Sequence, residues 1–306
     1  MKQKLAALGV STTVYSLVYP ETRALLAELW AGQPHAMYEE PWTSRQDAMH
    51  EEFFQAWAGW SGQPDIAERF PHAYPCSGSS EAIRDAICRM AARSPRPRLV
   101  MLEGDYEGYP ALAAAYGVDV VRLRREHWRE QLAAVEGPVE AFLSQPSSID
   151  GNVWPDFDDF VRCFPGPVNV DLCYLGCTTR PVEIDLGHPS IERVFFSLSK
   201  VFGVYYHRIG GVWSRSEMPG LWGNRWFKNL FSLHFGTELM RRYGCGELAE
   251  RYASVQAEVA EAYRSAALKP SDVVLLATAE EGEALFTRGS GIARYCLTPG
   301  MARRLG

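Results

Sequence analysis

Ser197-Leu198-Ser199-Lys200-Val201-Phe202-Gly203-Val204-Tyr205-Tyr206-His207-Arg208-Ile209-Gly210 is the stretch on which the reading of this chain turns. Its lysine directly follows an apolar run, 194–197, with the content of a buried strand. An ammonium is costly to bury unless it is paired, loses its proton or is used covalently. A lysine that forms a Schiff base meets that need. Upstream, Val168-Asn169-Val170-Asp171-Leu172-Cys173-Tyr174 ends a second apolar strand on an aspartate, at the carboxyl edge where open α/β sheets hold ligands. Further upstream still, Cys76-Ser77-Gly78-Ser79-Ser80-Glu81 opens a helix with small hydroxyl residues, which leaves its first N–H groups free for an anion.

Around these segments, residues 72–215 alternate short apolar runs with helical ones, the pattern of βαβ units on a largely parallel sheet. Strands are predicted at 98–102, 118–123, 139–144, 168–172, 194–197 and 209–214, and helices over 80–93, 108–116 and 157–164. The expectation is a three-layer, doubly wound, mostly parallel α/β domain at 66–215. Outside it the texture changes: residues 1–65 are rich in aromatics, with helices at 22–30 and 47–57, and 219–265 is helical, most clearly over 247–264. Strands follow near 273–277, 284–287 and 293–297. Residues 1–65 and 216–306 are therefore expected to form a second, smaller α+β domain.

Composition agrees. At roughly 150 residues per domain, 306 residues suffice for two, and 47% hydrophobic with 22% charged residues excludes a disordered, collagen-like or coiled-coil chain. Thirty-one basic against 37 acidic residues, a net charge of -6, offers nothing to nucleic acid or an anionic membrane. No run approaches the roughly 18 apolar residues of a membrane span. Ser11, Thr12 and Thr13 interrupt the one stretch that imitates a signal peptide. Seven cysteines, an odd number and partly inside apolar runs, suit a reducing cytoplasm. Cys173 and Cys177 have no second pair at zinc-ligand spacing, and the histidines have no metal spacing, so no metal site is expected.

Taken singly, several candidates have plainer readings. Ser79 and Ser80 read as helix caps, Asp171 as a turn residue, Tyr106 and Tyr109 as core aromatics and Arg294 as the partner of a surface carboxylate. Taken in order, they resemble the fold type I pyridoxal-phosphate enzymes, most closely the class I/II aminotransferases, in a short form. The resemblance implies that Gly78, Ser79 and Ser80 cradle the cofactor phosphate. Gly104-Asp105-Tyr106-Glu107-Gly108-Tyr109 is similar to the family element that stacks an aromatic, here Tyr106, on the pyridine ring. Asp171 and Tyr174 would hold the ring nitrogen and the phenolic oxygen. Ser-x-Ser-Lys with an arginine eight residues on makes Lys200 the Schiff-base residue and Ser197 and Arg208 phosphate ligands. Ala293-Arg294-Tyr295-Cys296-Leu297 is similar to the strand whose arginine takes the substrate carboxylate.

The family's asparagine-rich loop is Gln145-Pro146-Ser147-Ser148-Ile149-Asp150-Gly151 here, so Ser148 falls where an asparagine normally donates to the phenolic oxygen. The chain is also short, which implies a trimmed small domain. The activity implied is transamination between an amino acid and a 2-oxo acid with pyridoxal 5'-phosphate, Lys200 moving the Cα proton. Decarboxylation, elimination, racemisation or carbon–carbon bond formation on the same fold is the alternative, and the intact lysine argues against a binding protein without catalysis. The resemblance also implies a homodimer whose N-terminal region reaches the partner's site; Pro41 stiffens residues 37–45, and the ring of Tyr38 or the guanidinium of Arg45 is expected to make that contact.

Overall fold

The computed structural model describes residues 9–32, 45–227, 229–263, 267–280, 286–288 and 291–306. Seven apolar segments pair into one sheet: β1 His72–Cys76, β2 Arg98–Leu102, β3 Val120–Leu123, β4 Val139–Ser144, β5 Val168–Leu172, β6 Ile191–Ser197 and β7 Gly210–Ser214. Their spatial order is β1-β7-β6-β5-β4-β2-β3. The pairs among β3, β2, β4, β5 and β6 are parallel, and β7 lies antiparallel to both β6 and β1. β4 and β5 are buried along their whole length, because helices cover both faces of the sheet and leave no side for polar residues.

Adjacent side chains on β6 show the two cores. Phe195 packs with Tyr74, Ile83 and Phe142 beneath the helix Ser79–Ala91, whereas Phe196 turns to the opposite face and stacks on Trp57 at 4.5 Å. Trp57 belongs to the helix Arg45–Trp60, which in turn packs against Leu230–Arg242. Burying each such large apolar side chain contributes about 1.5–3 kcal/mol.

Strands β2, β4 and β5 have the predicted bounds. β6 starts earlier than the apolar run suggests, because it includes Glu192 and Arg193. Arg193 is wholly buried, and it is tolerated because Nη1 donates to Glu140 Oε1 at 2.8 Å and to Asn169 Oδ1 at 3.0 Å. β1 carries Pro75 and gives no strand signal, yet it pairs as an edge strand, where a missing N–H is tolerated.

A second sheet, β10-β9-β8, joins Lys269–Pro270 (β8), Leu276–Ala279 (β9) and Ala293–Cys296 (β10). Val273 to Leu275, expected as strand, form a bridge and turn before β9. Of the strand expected at 284–287, residues 284 and 285 lie outside the described residues, and Thr287 bridges Ala293. Helices Glu247–Ala262 and Thr298–Leu305 flank this sheet. Among the described residues no helix is long and apolar enough to cross a membrane.

Candidate active site

The carboxyl ends of the parallel strands face a cavity of about 660 Å³. Ser79, Ser80, Tyr106, Ser148, Asp171, Tyr174, Ser197, Lys200, Arg208 and Arg294 all line it, although they come from segments spread from residue 79 to residue 294. Gly78 stands just behind this wall. Its φ is +75°, and a Cβ there would lie 2.8 Å from Arg208 Nη2, so only glycine lets the arginine approach.

One end of the cavity is built for an anion. The helix Ser79–Ala91 begins here with its first N–H groups and the Ser79 and Ser80 hydroxyls. Ser197 Oγ accepts from Ser199 N at 3.3 Å and bonds Ser199 Oγ at 3.1 Å. Arg208 adds a cation. Its backbone is left-handed, φ 53°, a conformation that costs energy for a residue with a Cβ, and its Nη2 donates to the Ser77 carbonyl at 2.5 Å.

Deeper in lies Asp171, only 2% exposed. Burial and the negative charge of nearby Asp105 push its carboxyl up to about 7, against donation from Ser79 and the Cys173 N–H. Its Oδ1 is buried and has no hydrogen-bond partner. A buried acceptor left bare costs free energy, and the lack is one that a ring N–H would fill. Tyr106 closes another side, edge-on to Tyr109 with ring centroids 5.3 Å apart. Gly108 leaves room for that ring, since a Cβ there would stand 2.3 Å from it.

Lys200 is nearly buried, and desolvation holds its ammonium below the usual lysine range. Its Nζ donates to the Val14 carbonyl. Tyr174 is pushed well above the usual phenol range by burial, with Arg294 pulling it back. Arg294 is 5% exposed and donates to the carbonyls of Ser148 and, at 3.4 Å, Thr12. Its Nε has no partner, and no carboxylate among the described residues pairs with it. The surface ion pair that was its plainer reading is therefore absent from the described residues. A buried guanidinium in this state is fitted to receive an anion.

Ser148 enters through its backbone: its N–H donates to Ser144 Oγ at 2.7 Å, and its side chain lines the cavity. Sequence reasoning passed over three further features. Asp105 sits inside a quoted motif but beside the more conspicuous Tyr106. Arg288 also lines the cavity, with its Nη1 on Glu107 Oε1 at 2.5 Å. Thr12 and Val14 act through main-chain carbonyls, which leave no mark on residue type. Tyr38 and the side chain of Arg45 lie outside the described residues.

No protein-family model matches the chain, and no curated protein matches it. Solved structures do match. Histidinol-phosphate aminotransferase from Sinorhizobium meliloti, in complex with pyridoxal 5'-phosphate, superposes at a TM-score of 0.68 with 14% identity, over 100% of this chain and 93% of that one. L-threonine-O-3-phosphate decarboxylase from Porphyromonas gingivalis gives 0.64 and 14%, over 96% and 98%. A pyridoxal-phosphate-bound C-S lyase from Staphylococcus hominis gives 0.63 and 12%, over 83% and 80%. At such identities the likeness is one of fold, and the fold of this chain is the fold type I architecture that these enzymes share.

Proposed function

We propose that the protein is a pyridoxal 5'-phosphate-dependent aminotransferase acting on an amino acid and a 2-oxo acid. The observation that carries this reading is the buried, donorless Oδ1 of Asp171, in the same cavity as a desolvated Lys200 and an anion-binding helix end. When bound, pyridoxal phosphate supplies an aldehyde that condenses with amines and a ring that accepts negative charge from the substrate Cα.

The residues supply the rest. Ser79, Ser80, Ser197 and Arg208 hold the phosphate with the helix N–H groups, and Gly78 gives them room. Tyr106 covers the ring. Asp171 accepts the ring N–H and keeps it protonated through a charge-assisted bond. Tyr174 and Ser148 face the phenolic oxygen. Lys200, whose ammonium form burial disfavours, anchors the cofactor, and once displaced it takes and returns the proton at Cα. Arg294 grips the substrate carboxylate, which sets the bond at Cα that is presented for cleavage. Exposed aromatics, Tyr206 at 80% and Trp226 at 56%, support a homodimer that covers them.

Borohydride reduction of the loaded protein followed by peptide mapping is expected to put the pyridoxyl mass on Lys200. Label on another lysine, or on none, overturns the reading. An amino-acid screen by absorbance then tests the reaction: conversion to pyridoxamine phosphate supports transamination, and release of carbon dioxide or an eliminated group with the aldehyde retained replaces it with lyase chemistry.

A further inference from the structure

Asp105 follows β2 and is 2% exposed, yet among the described residues no basic side chain lies within hydrogen-bond distance of its carboxylate. Its carboxylate is instead saturated by local donors. Oδ1 accepts the Tyr106 N–H at 2.7 Å and the Ser144 hydroxyl, and Oδ2 accepts the Ser144 N–H at 3.1 Å. Three donors on two oxygens favour the ionised form, but burial outweighs them and leaves the carboxyl above its usual range.

Ser144 ends β4, directly beside Asp171 in the register of β4 and β5, and does not line the cavity. Because its hydroxyl proton goes to Asp105, its oxygen is free to accept the Ser148 N–H at 2.7 Å. The carbonyl of Ser148 then accepts from Arg294. The segment carrying Arg294 returns to the start of this chain: Arg294 N–H donates to Phe286 O at 3.1 Å, and Arg288 donates to the carbonyls of Gly104 and Asp105 at 3.2 Å each. Hydrogen bonds thus run from the Tyr106 N–H through Asp105, Ser144 and Ser148 to Arg294, and the chain from Phe286 to Arg288 carries the path back to the carbonyls of Gly104 and Asp105.

We propose that Asp105 is a positioning residue that, through Ser144 and Ser148, holds the ring-covering Tyr106 and the carboxylate-binding Arg294 as one rigid unit. This rests on the reading of the cavity as a pyridoxal-phosphate site. The unit fixes the spacing between the cofactor ring and the point where a substrate carboxylate is held. Asp105 lines the cavity, but its hydrogen bonds go only to Tyr106 and Ser144; apart from the effect of its charge on Asp171, it acts through these neighbours.

The test uses the full chain and pyridoxal 5'-phosphate itself as probe, with equilibrium binding and the near-ultraviolet circular dichroism of the bound chromophore as readouts. Asp105→Asn keeps the shape but turns an amide N–H toward the Ser144 N–H, and Ser144→Ala removes the link. Each is expected to weaken binding about five- to tenfold, the loss of one charge-assisted hydrogen bond, and to change the sign or size of the dichroic band. The double variant should bind no worse than either single one, because both break the same unit. Ser144→Thr, which keeps the hydroxyl, should restore the band. Additive losses, or wild-type affinity and dichroism in variants that melt cooperatively, overturn the proposal. If Ser144→Ala does not fold, the isosteric Asp105→Asn decides alone. Failure of the wild-type chain to bind pyridoxal phosphate would instead overturn the underlying reading.

Discussion

Asp171 is the residue at which folding and the proposed chemistry meet. Its carboxyl titrates near 7 in the fold and near 3.8 when unfolded. Between those values the folded protein holds a proton that the unfolded chain has released, so stability falls as pH rises from 4 to 7. The loss is on the order of 4 kcal/mol at about 1.4 kcal/mol per unit. Thermal denaturation of cofactor-free protein across that range is expected to show the decline. In Asp171→Asn the decline should shrink, leaving the part that buried Asp105 and half-buried Asp85 carry, and in the loaded protein it should also shrink, because a protonated ring nitrogen stabilises the carboxylate. A profile in free wild-type protein that is flat or rises would contradict the assignment.

Among the elements, the loop that joins β1 to the helix Ser79–Ala91 is tightly enclosed. Gly78 meets Arg208 from one side, and a Cβ on Gly210 would lie 2.7 Å from Gly78 Cα. Gly78→Ala faces both that crowding and a positive φ, so phosphate affinity should drop by about tenfold or more. Equilibrium binding of pyridoxal phosphate, with a melting curve to confirm folding, measures it, and unchanged affinity would remove Gly78 from the cradle.

At this scale the sequence was legible where burial is two-sided. β4 and β5 read correctly because a short, continuous apolar run between turn residues fits a strand covered on both faces. The start of β6 was hidden by Glu192 and Arg193, whose burial depends on a carboxylate fifty residues away, and β1 was hidden by Pro75. Lys200, Asp171 and Arg208 stood out in ordered motifs, being single side chains with unusual needs, and the fold brings them to one cavity. Asp105 was hidden because its partners are main-chain N–H groups and a serine, which no spacing announces.

For the whole molecule, the proposed dimer has a functional signature. If Tyr38 or Arg45 completes the partner's site, mixing a Lys200→Ala chain with a chain altered at both Tyr38 and Arg45 should regenerate activity from two inactive parents, through one intact site per mixed dimer. Inactive mixtures, or a protein that sediments as a monomer at micromolar concentration, would count against shared sites.

The carbonyls of Thr12 and Val14, which receive Arg294 and Lys200, carry a consequence for how this chain can drift over evolutionary time. A contact made by a main-chain oxygen survives almost any change of the side chain on the same residue. Thr12→Ala and Val14→Ala are therefore expected to leave cofactor binding nearly untouched, whereas deleting a single residue between Ser11 and Tyr15 should abolish it. Ser11 is held to Cys296 by paired backbone bonds of 2.8 Å, and Thr298 Oγ1 holds the Tyr15 carbonyl at 3.0 Å. Between those two anchors the length of the segment, and not its composition, is the heritable trait.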